Sequence, residues 1–317
     1  MSEKIVIGTR GSELALWQAN FVKASLEEFF PKHNFEIKIV HTTGDQVVDV
    51  ALSKIGDKGL FTREIESELL EGAIDLAVHS LKDLQTEQPE GLNIGAVCKR
   101  ELPNDVLISK TGSTIDDLPK GATVATGSLR RRSQLLHYRP DLKITEIRGN
   151  VPTRLRKFDE SHLDGLILAH AGIRRLGLED RVSQVIPFKV MLPAVGQGAV
   201  AVEIRSDDGR TAAVTERLND AVTHLAITAE RAFLRRLEGG CQVPIGAYAA
   251  LNGQQLTLEG RVGSLDGTVL FRESMMGTAS DAESIGMNLA NSLIEKGVQE
   301  LLDDIRTETE SSTKAAI

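Results

Sequence analysis

Apolar residues in this chain fall into short runs that alternate with longer stretches of helical spacing. Lys4 to Ile7 reads as a buried strand, and Thr9-Arg10-Gly11-Ser12 turns into a helix over Glu13 to Phe29. That helix carries Leu14, Trp17, Phe21, Val22 and Leu26 at helical intervals. Phe35 to Val40 reads as a second strand, Phe61 to Leu70 as a helix, and Asp75 to Val78 as a strand delivering His79-Ser80-Leu81-Lys82-Asp83 at its carboxyl end. The pattern then restarts. Ala122 to Ala125 is a strand, Thr126-Gly127-Ser128 a turn, and Leu129 to Tyr138 a helix. Ile144 to Ile147 is a strand, Thr153 to Phe158 a helix, and Leu166 to Ala169 another strand. Strands alternating with helices predict an α/β fold with a largely parallel sheet.

The strand, Gly/Ser/Thr turn and helix unit thus occurs twice, about 115 residues apart. Each such helix start offers free backbone N–H groups and the positive end of a dipole, which suits an anion. In open parallel sheets ligands gather at the carboxyl ends of strands. Two similar domains facing across a cleft are therefore expected, with Asp45 to Gly59, a charged stretch holding Gly56 and Gly59, as a mobile cover.

The last third differs. Ala221 to Leu237 reads as a long helix, Glu238 to Pro244 as a tight loop, and Gln255 to Val262 with Thr268 to Met276 as antiparallel strands around a turn. Ala282 to Lys296 is helical, and Thr307 to Ile317 is polar and expected to fray. These segments predict a small α+β domain. At 317 residues two or three compact units are expected. The boundaries suggested are residues 1–98 with a return segment 199–217, then 99–198, then 218–317.

Charge changes the picture locally. The chain carries −8 overall, which disfavours nucleic acid and anionic membranes as partners. Between Ser128 and Arg156 the balance reverses to +6 in 29 residues, from Arg130, Arg131, Arg132, Arg139, Arg148, Arg154, Arg156 and Lys143 against Asp141 and Glu146. A solvated basic face would produce such a run. The excess of arginine over lysine instead favours planar, forked recognition of carboxylates or phosphates. Helix phase separates Arg132 from Arg131, so the two should face different surroundings.

Other chemistry is sparse. No histidine lies in a metal-ligand spacing, so no metal is expected, and the chain has no Walker A motif or GxSxG elbow. The two cysteines, Cys98 and Cys241, cannot build a disulfide framework. With no apolar signal region at the amino terminus, a cytoplasmic location is expected. Cys98 sits in the apolar run Ile94 to Cys98. Cys241 lies in Gly239-Gly240-Cys241, where it is either an inert buried thiol or one that bulky groups can reach. Asp83 is either a structural carboxylate paired with a nearby cation or a catalytic one.

Seven ordered blocks make the chain specific enough to compare with a family. They are Thr9–Ala19, Lys54–Glu66, Val78–Asp83, Thr126–Arg131, Arg148–Arg154, Leu192–Ala199 and Leu237–Gly246. Together they closely resemble porphobilinogen deaminase (hydroxymethylbilane synthase), in order, from about residue 4 to residue 300. The resemblance implies two domains like periplasmic binding proteins and a third, smaller one. It implies a transferase that joins four porphobilinogen molecules, with loss of ammonia, on a dipyrromethane cofactor tied by a thioether to Cys241. Asp83 would be the catalytic group. Cofactor positions map to Lys82, Asp83, Thr126, Ser128, Arg130, Arg131 and Arg148, and substrate positions to Arg10, Ser12, Arg148, Arg154 and Arg175. A monomer is expected. The chemistry agrees with these residue types: porphobilinogen carries acetate and propionate arms, and loss of its amine leaves a cation that a carboxylate would stabilise. Three residues depart from the family pattern: Gln85, Asp57 and Val222. The competing reading is a non-catalytic binding protein for a small polycarboxylate.

Overall fold

The computed structural model describes residues 4–46, 59–237 and 243–314. Its first stretch forms β1 (Lys4–Thr9), α1 (Glu13–Phe29), β2 (Asn34–Ile39) and α2 (Thr43–Gln46). Then come α3 (Arg63–Leu70), β3 (Leu76–Ser80) and β4 (Leu92–Val97). The middle forms β5 (Asp105–Ser109), β6 (Thr123–Ala125), α4 (Leu129–Tyr138) and β7 (Lys143–Thr145). It continues with α5 (Val151–Asp159), β8 (Gly165–Ala169), α6 (His170–Arg175) and β9 (Gln184–Val185). Next are β10 (Val200–Arg205), α7 (Gly209–Thr215), α8 (Ala221–Arg236) and β11 (Ile245–Asn252). The chain closes with β12 (Gln255–Gly263), β13 (Leu270–Thr278), α9 (Ala282–Glu295) and α10 (Val298–Lys314).

By internal contact the chain divides into two units, one drawn from residues 4–46, 59–101 and 198–225, the other from the remaining described residues. The first unit is built on a sheet of order β2-β1-β3-β10-β4. β1 runs parallel to β2 and β3, whereas β10 is antiparallel to β3 and β4. The sheet is parallel except for β10, a late segment that enters from the opposite end. Both faces are covered, as a mostly parallel sheet requires. One face packs Ile5, Ile7, Leu76, Val78, Val200, Val202 and Ile204 against Ala19, Val22 and Leu26 of α1. The other packs Val40, Ile74, Ala77 and Leu92 against Ile65 and Leu69 of α3.

The buried stripe of α1 is Ala15, Gln18, Ala19, Val22 and Leu26, which corrects the stripe expected from the sequence. Trp17 and Phe21 are exposed and stack on each other with centroids 5.6 Å apart. Small residues at 15 and 19 let the helix lie close to the sheet, so the bulky pair is displaced to its edge.

The second unit holds two sheets. The first, of order β7-β6-β8-β5-β9, repeats the plan, with β6 parallel to β7 and β8 and with β5 reversed. The other is the antiparallel meander β11-β12-β13. α8 and α9 pack tightly, because a Cβ on Gly286 would lie 2.3 Å from the Ala229 carbonyl oxygen. α10 continues to Lys314, where fraying was expected from Thr307. Val298, Leu302 and Ile305, at helical spacing and buried, anchor it. The architecture is therefore α/β twice over, with a small α+β domain at the end.

Candidate functional site

In the first unit the adjacent strands β1 and β3 end on the same edge, bringing Arg10, Ser12, Lys82 and Asp83 to one side of the sheet. Ser12 caps α1, its hydroxyl accepting from the Ala15 N–H. Lys82 and Asp83 lie half-buried in a single 3-10 turn, Leu81–Asp83. The turn is fastened where the Leu81 N–H donates to the Ala199 carbonyl oxygen at 3.1 Å. The Asp83 carboxylate makes no hydrogen bond or ion pair among the described residues, whereas Arg10 is engaged through Nε and Nη2. It forms a forked ion pair with Asp45 and lies 4.2 Å from the Phe61 ring centre. Burial would raise the Asp45 carboxyl, but the hydrogen bond and charge of Arg10 outweigh it and hold the group below its ordinary value.

α2 and α3 are stapled together close by: the Thr43 N–H donates to Glu64 at 2.9 Å and the Gly44 N–H to the Leu60 carbonyl oxygen at 3.0 Å. Residues 47–58, most of the expected covering loop and including Gly56 and Asp57, lie outside the described residues.

In the second unit the loops after β6, β7 and β8 share one edge. Thr126, Ser128, Arg130 and Arg131 follow β6, Arg148 and Arg154 follow β7, and Arg175 closes α6 after β8. Ser128 caps α4 by accepting from the Arg131 N–H, and its own N–H donates to Thr126 Oγ1. Gly149 has φ +112 and a Cβ there would meet Thr153 at 2.5 Å, so only glycine lets Arg148 turn directly into α5, which Asn150 caps.

Arg130 and Arg131 are 4% and 5% exposed and both converge on Asp105, which is fully buried at the start of β5. Arg130 Nη1 donates to Asp105 Oδ2 at 2.7 Å, and Arg131 donates to Oδ1 through Nε at 3.0 Å and Nη2 at 2.7 Å. Gln197 Nε2 adds a donor at 2.9 Å. Burial would raise the Asp105 carboxyl, but the two guanidinium charges overcome that and hold it far below the usual carboxylate range. One carboxylate against two guanidiniums leaves net positive charge in the interior. Arg132, one residue on, is exposed and donates to the Leu265 carbonyl oxygen at 3.0 Å. Arg132→Leu is accordingly expected to change stability by no more than about 0.5 kcal/mol, read from thermal melts beside the parent.

Arg148 differs from the other two. It is half-buried, and its Nη2 is buried without a hydrogen-bond partner among the described residues. Burial lowers its pKa against the opposing charge of Glu146. A desolvated guanidinium group with an open donor is suited to a carboxylate brought by a ligand.

Asp45, Phe61, Asp105 and Gln197 were not singled out in the sequence. Asp105 opens an apolar strand, and a buried acid there is the natural counter-charge for arginines on an inward helix face. Cys241 and its neighbours Glu238 to Gln242 lie outside the described residues. Among the described residues no group of histidine, cysteine, aspartate or glutamate is placed to hold a metal.

Two family models match. "Porphobilinogen deaminase, dipyromethane cofactor binding domain" covers residues 5–213, and "Porphobilinogen deaminase, C-terminal domain" covers residues 224–295. The porphobilinogen deaminase of Pelotomaculum thermopropionicum is 53% identical over 308 residues, spanning 97% of this chain and 99% of the relative. Those of Carboxydothermus hydrogenoformans and Chlorobaculum tepidum are 50% and 51% identical, each spanning 96% of this chain. Among solved structures, the periplasmic aliphatic sulphonate binding protein SsuA from Escherichia coli overlaps 75% of this chain and 71% of its own, with 16% identity and a TM-score of 0.39. Matched by the two family models over residues 5–213 and 224–295 and by a relative over 97% of its length, the chain belongs to the porphobilinogen deaminase family.

Proposed function

We infer that this chain is a hydroxymethylbilane synthase, a transferase that condenses four porphobilinogen molecules head to tail with loss of ammonia, in tetrapyrrole biosynthesis. At the site, the observation that carries the reading is the open, buried Nη2 of Arg148 beside an arginine-rich edge. The substrate brings two carboxylates per ring, and this is a donor set for them. Arg10, Ser12, Arg148, Arg154 and Arg175 are assigned to the substrate.

The residues present fit the family's cofactor. Lys82, Asp83, Thr126, Ser128, Arg130, Arg131 and Arg148 would hold it, Arg130 and Arg131 while also clamping Asp105, with Cys241 supplying the thioether sulfur. When bound, a dipyrromethane supplies the pyrrole carbon at which growth starts and a covalent tie that retains the growing chain. Asp83, whose carboxylate has no hydrogen bond or ion pair among the described residues, would face pyrrole N–H groups and stabilise the positive charge that develops as the amine departs. In its acid form it gives the amine a proton. Arg148 orients the acid arms rather than entering the chemistry.

The division into domains at 1–98 with 199–217, 99–198 and 218–317 belongs to the same proposal, as does action as a monomer in the cytoplasm without nucleic acid or membrane. The net charge of −8 supports the exclusion of nucleic acid, and among the described residues no helix is long and apolar enough to cross a membrane.

Intact mass tests the reading. The purified protein is expected to exceed its sequence mass by one dipyrrole, to lose that excess in Cys241→Ser and to keep it in Cys98→Ser. Cys98 is buried in the first unit's core. A protein of unmodified mass that binds polycarboxylates and releases no ammonia from porphobilinogen would instead be a binding protein. Arg148→Leu is expected to weaken ligand binding by about 2 kcal/mol, read by titration with substrate. The melting temperature should hold, because its open donor has no hydrogen-bond partner among the described residues to strand.

A further inference from the structure

The first unit buries a set of ionisable groups that the site above does not use. On the sheet face covered by α3, Glu66 of α3, His79 of β3 and Glu203 of β10 are 5%, 5% and 0% exposed. His79 Nε2 lies 3.2 Å from Glu203 Oε2, close but without the alignment of a hydrogen bond. Both Glu203 oxygens and Glu66 Oε1 lack a hydrogen-bond partner among the described residues. Burial raises the Glu66 carboxyl and the Glu203 charge adds to the rise, against the Thr62 hydroxyl and the charges of His79 and Arg63.

Arg205, the next residue on Glu203's face of β10, is committed elsewhere. It donates to the carbonyl oxygens of Leu69 and Ile74 and to Asp208. From the opposite face of the sheet, Val78, Val202 and Ile204 present only apolar side chains to α1.

Carboxylates and an imidazole in a dry interior are costly. The rest of this face is filled by Val40, Ile65, Leu69, Ile74, Ala77 and Leu92. Apolar filling at the three positions would fit the surroundings, so stability alone does not account for the charged set. Its place does. Ala201 of β10 pairs with His79 and Val200 with Ser80, immediately before the 3-10 turn Leu81–Asp83. Glu66 is buried on α3, whose first turn begins at Thr62, on the same side of the sheet.

We propose that Glu66, His79 and Glu203 are positioning residues for the turn bearing Lys82 and Asp83: the buried contact of His79 with Glu203, with Glu66 of α3 buried on the same sheet face, fixes the end of β3 and so sets where the Asp83 carboxylate lies. The proposal rests on Asp83 being the catalytic carboxylate.

The test uses the cofactor-bearing enzyme and its variants Glu203→Gln and Glu66→Gln, with kcat and KM measured from about pH 6 to about pH 9. Glu203→Gln replaces the carboxyl group facing His79 and is expected to lower kcat about 10-fold while KM changes less than about twofold. Glu66→Gln copies a protonated carboxyl, so its kcat should fall less than the parent's as pH rises.

A second readout is independent of turnover. A carboxyl whose pKa is raised by folding contributes stability that is present in acid and lost as pH rises through the raised value. The melting temperature of Glu66→Gln should therefore gain on the parent as pH rises, and the His79 ring resonances should shift in both variants. Parental kcat profiles in both variants, or ring resonances unchanged in Glu203→Gln, overturn the proposal. An active Asp83→Asn would overturn the catalytic reading beneath it, and that result is distinct, because the melting and resonance measurements do not depend on Asp83.

Discussion

Asp83→Asn is expected to lower kcat by at least about 100-fold, the lower range for loss of a group that exchanges protons and faces developing charge. Asparagine keeps the shape of aspartate and removes its charge. The carboxylate is half-buried in the turn after β3, with no hydrogen bond or ion pair among the described residues. Folding therefore does not depend on it, and the variant should melt within about 2 °C of the parent, as an unpartnered position does. Ammonia release under saturating porphobilinogen gives the rate, and circular dichroism gives the melt. Rates within a few-fold of the parent would make Asp83 structural and leave the chemistry to another residue. A large loss of stability beside the loss of rate would mean that the turn, rather than the charge, had been damaged.

The second large effect is on stability. Arg131→Leu removes three donors from the pair of contacts that Arg131 makes with Asp105 and the Ile167 carbonyl oxygen. Asp105, wholly buried, is then left to Arg130 and Gln197. Stripping one partner from a buried ion network costs about 3–5 kcal/mol, several times the effect expected at Arg132. Chemical denaturation of the two leucine variants side by side checks the contrast. Replacing Asp105 and Arg131 together by apolar residues should recover part of the loss, since no stranded charge remains.

The sign of the pH dependence follows from the depressed Asp105 carboxyl. Its contribution is complete at neutral pH and is lost only as pH falls through its folded value, below that of an ordinary aspartate. The parent should thus hold this contribution through mild acid, whereas an Arg131→Leu protein should lose stability at higher pH. If Arg131→Leu melts with the parent but fails to bind ligand, its guanidinium serves the ligand and not the fold.

Much of the fold is legible in local runs. The helices at Glu13–Phe29 and Leu129–Tyr138 were read to the residue, because a serine cap precedes each and helical spacing continues to its end. The antiparallel pair around Asp266 was read from its turn, although its partner strand Ile245–Asn252 was not. Strands β4, β5 and β10 were also missed as strands, since short apolar runs without alternation do not announce their state.

Within the candidate site, the turns after β1 and β6 and the different settings of Arg131 and Arg132 were available from spacing. The commitments of the arginines were not. Arg10 to Asp45 and Arg131 to Asp105 are pairings across loops and strands, and a carboxylate destined for a buried ion pair looks in sequence like one bound for solvent.

Local residue order thus determined where chain segments begin and end, which motifs they carry and where cationic charge accumulates. Those properties depend on backbone preference and on neighbours within a few residues. The insertion of β10 antiparallel between β3 and β4, and with it the meeting of Glu203 and His79, was set by folding. So was the choice of Asp105 as the counter-charge of two arginines. Hydrogen-bond ladders and desolvated charges take their energy from whichever partner arrives in space, and that partner sits dozens of residues away along the chain.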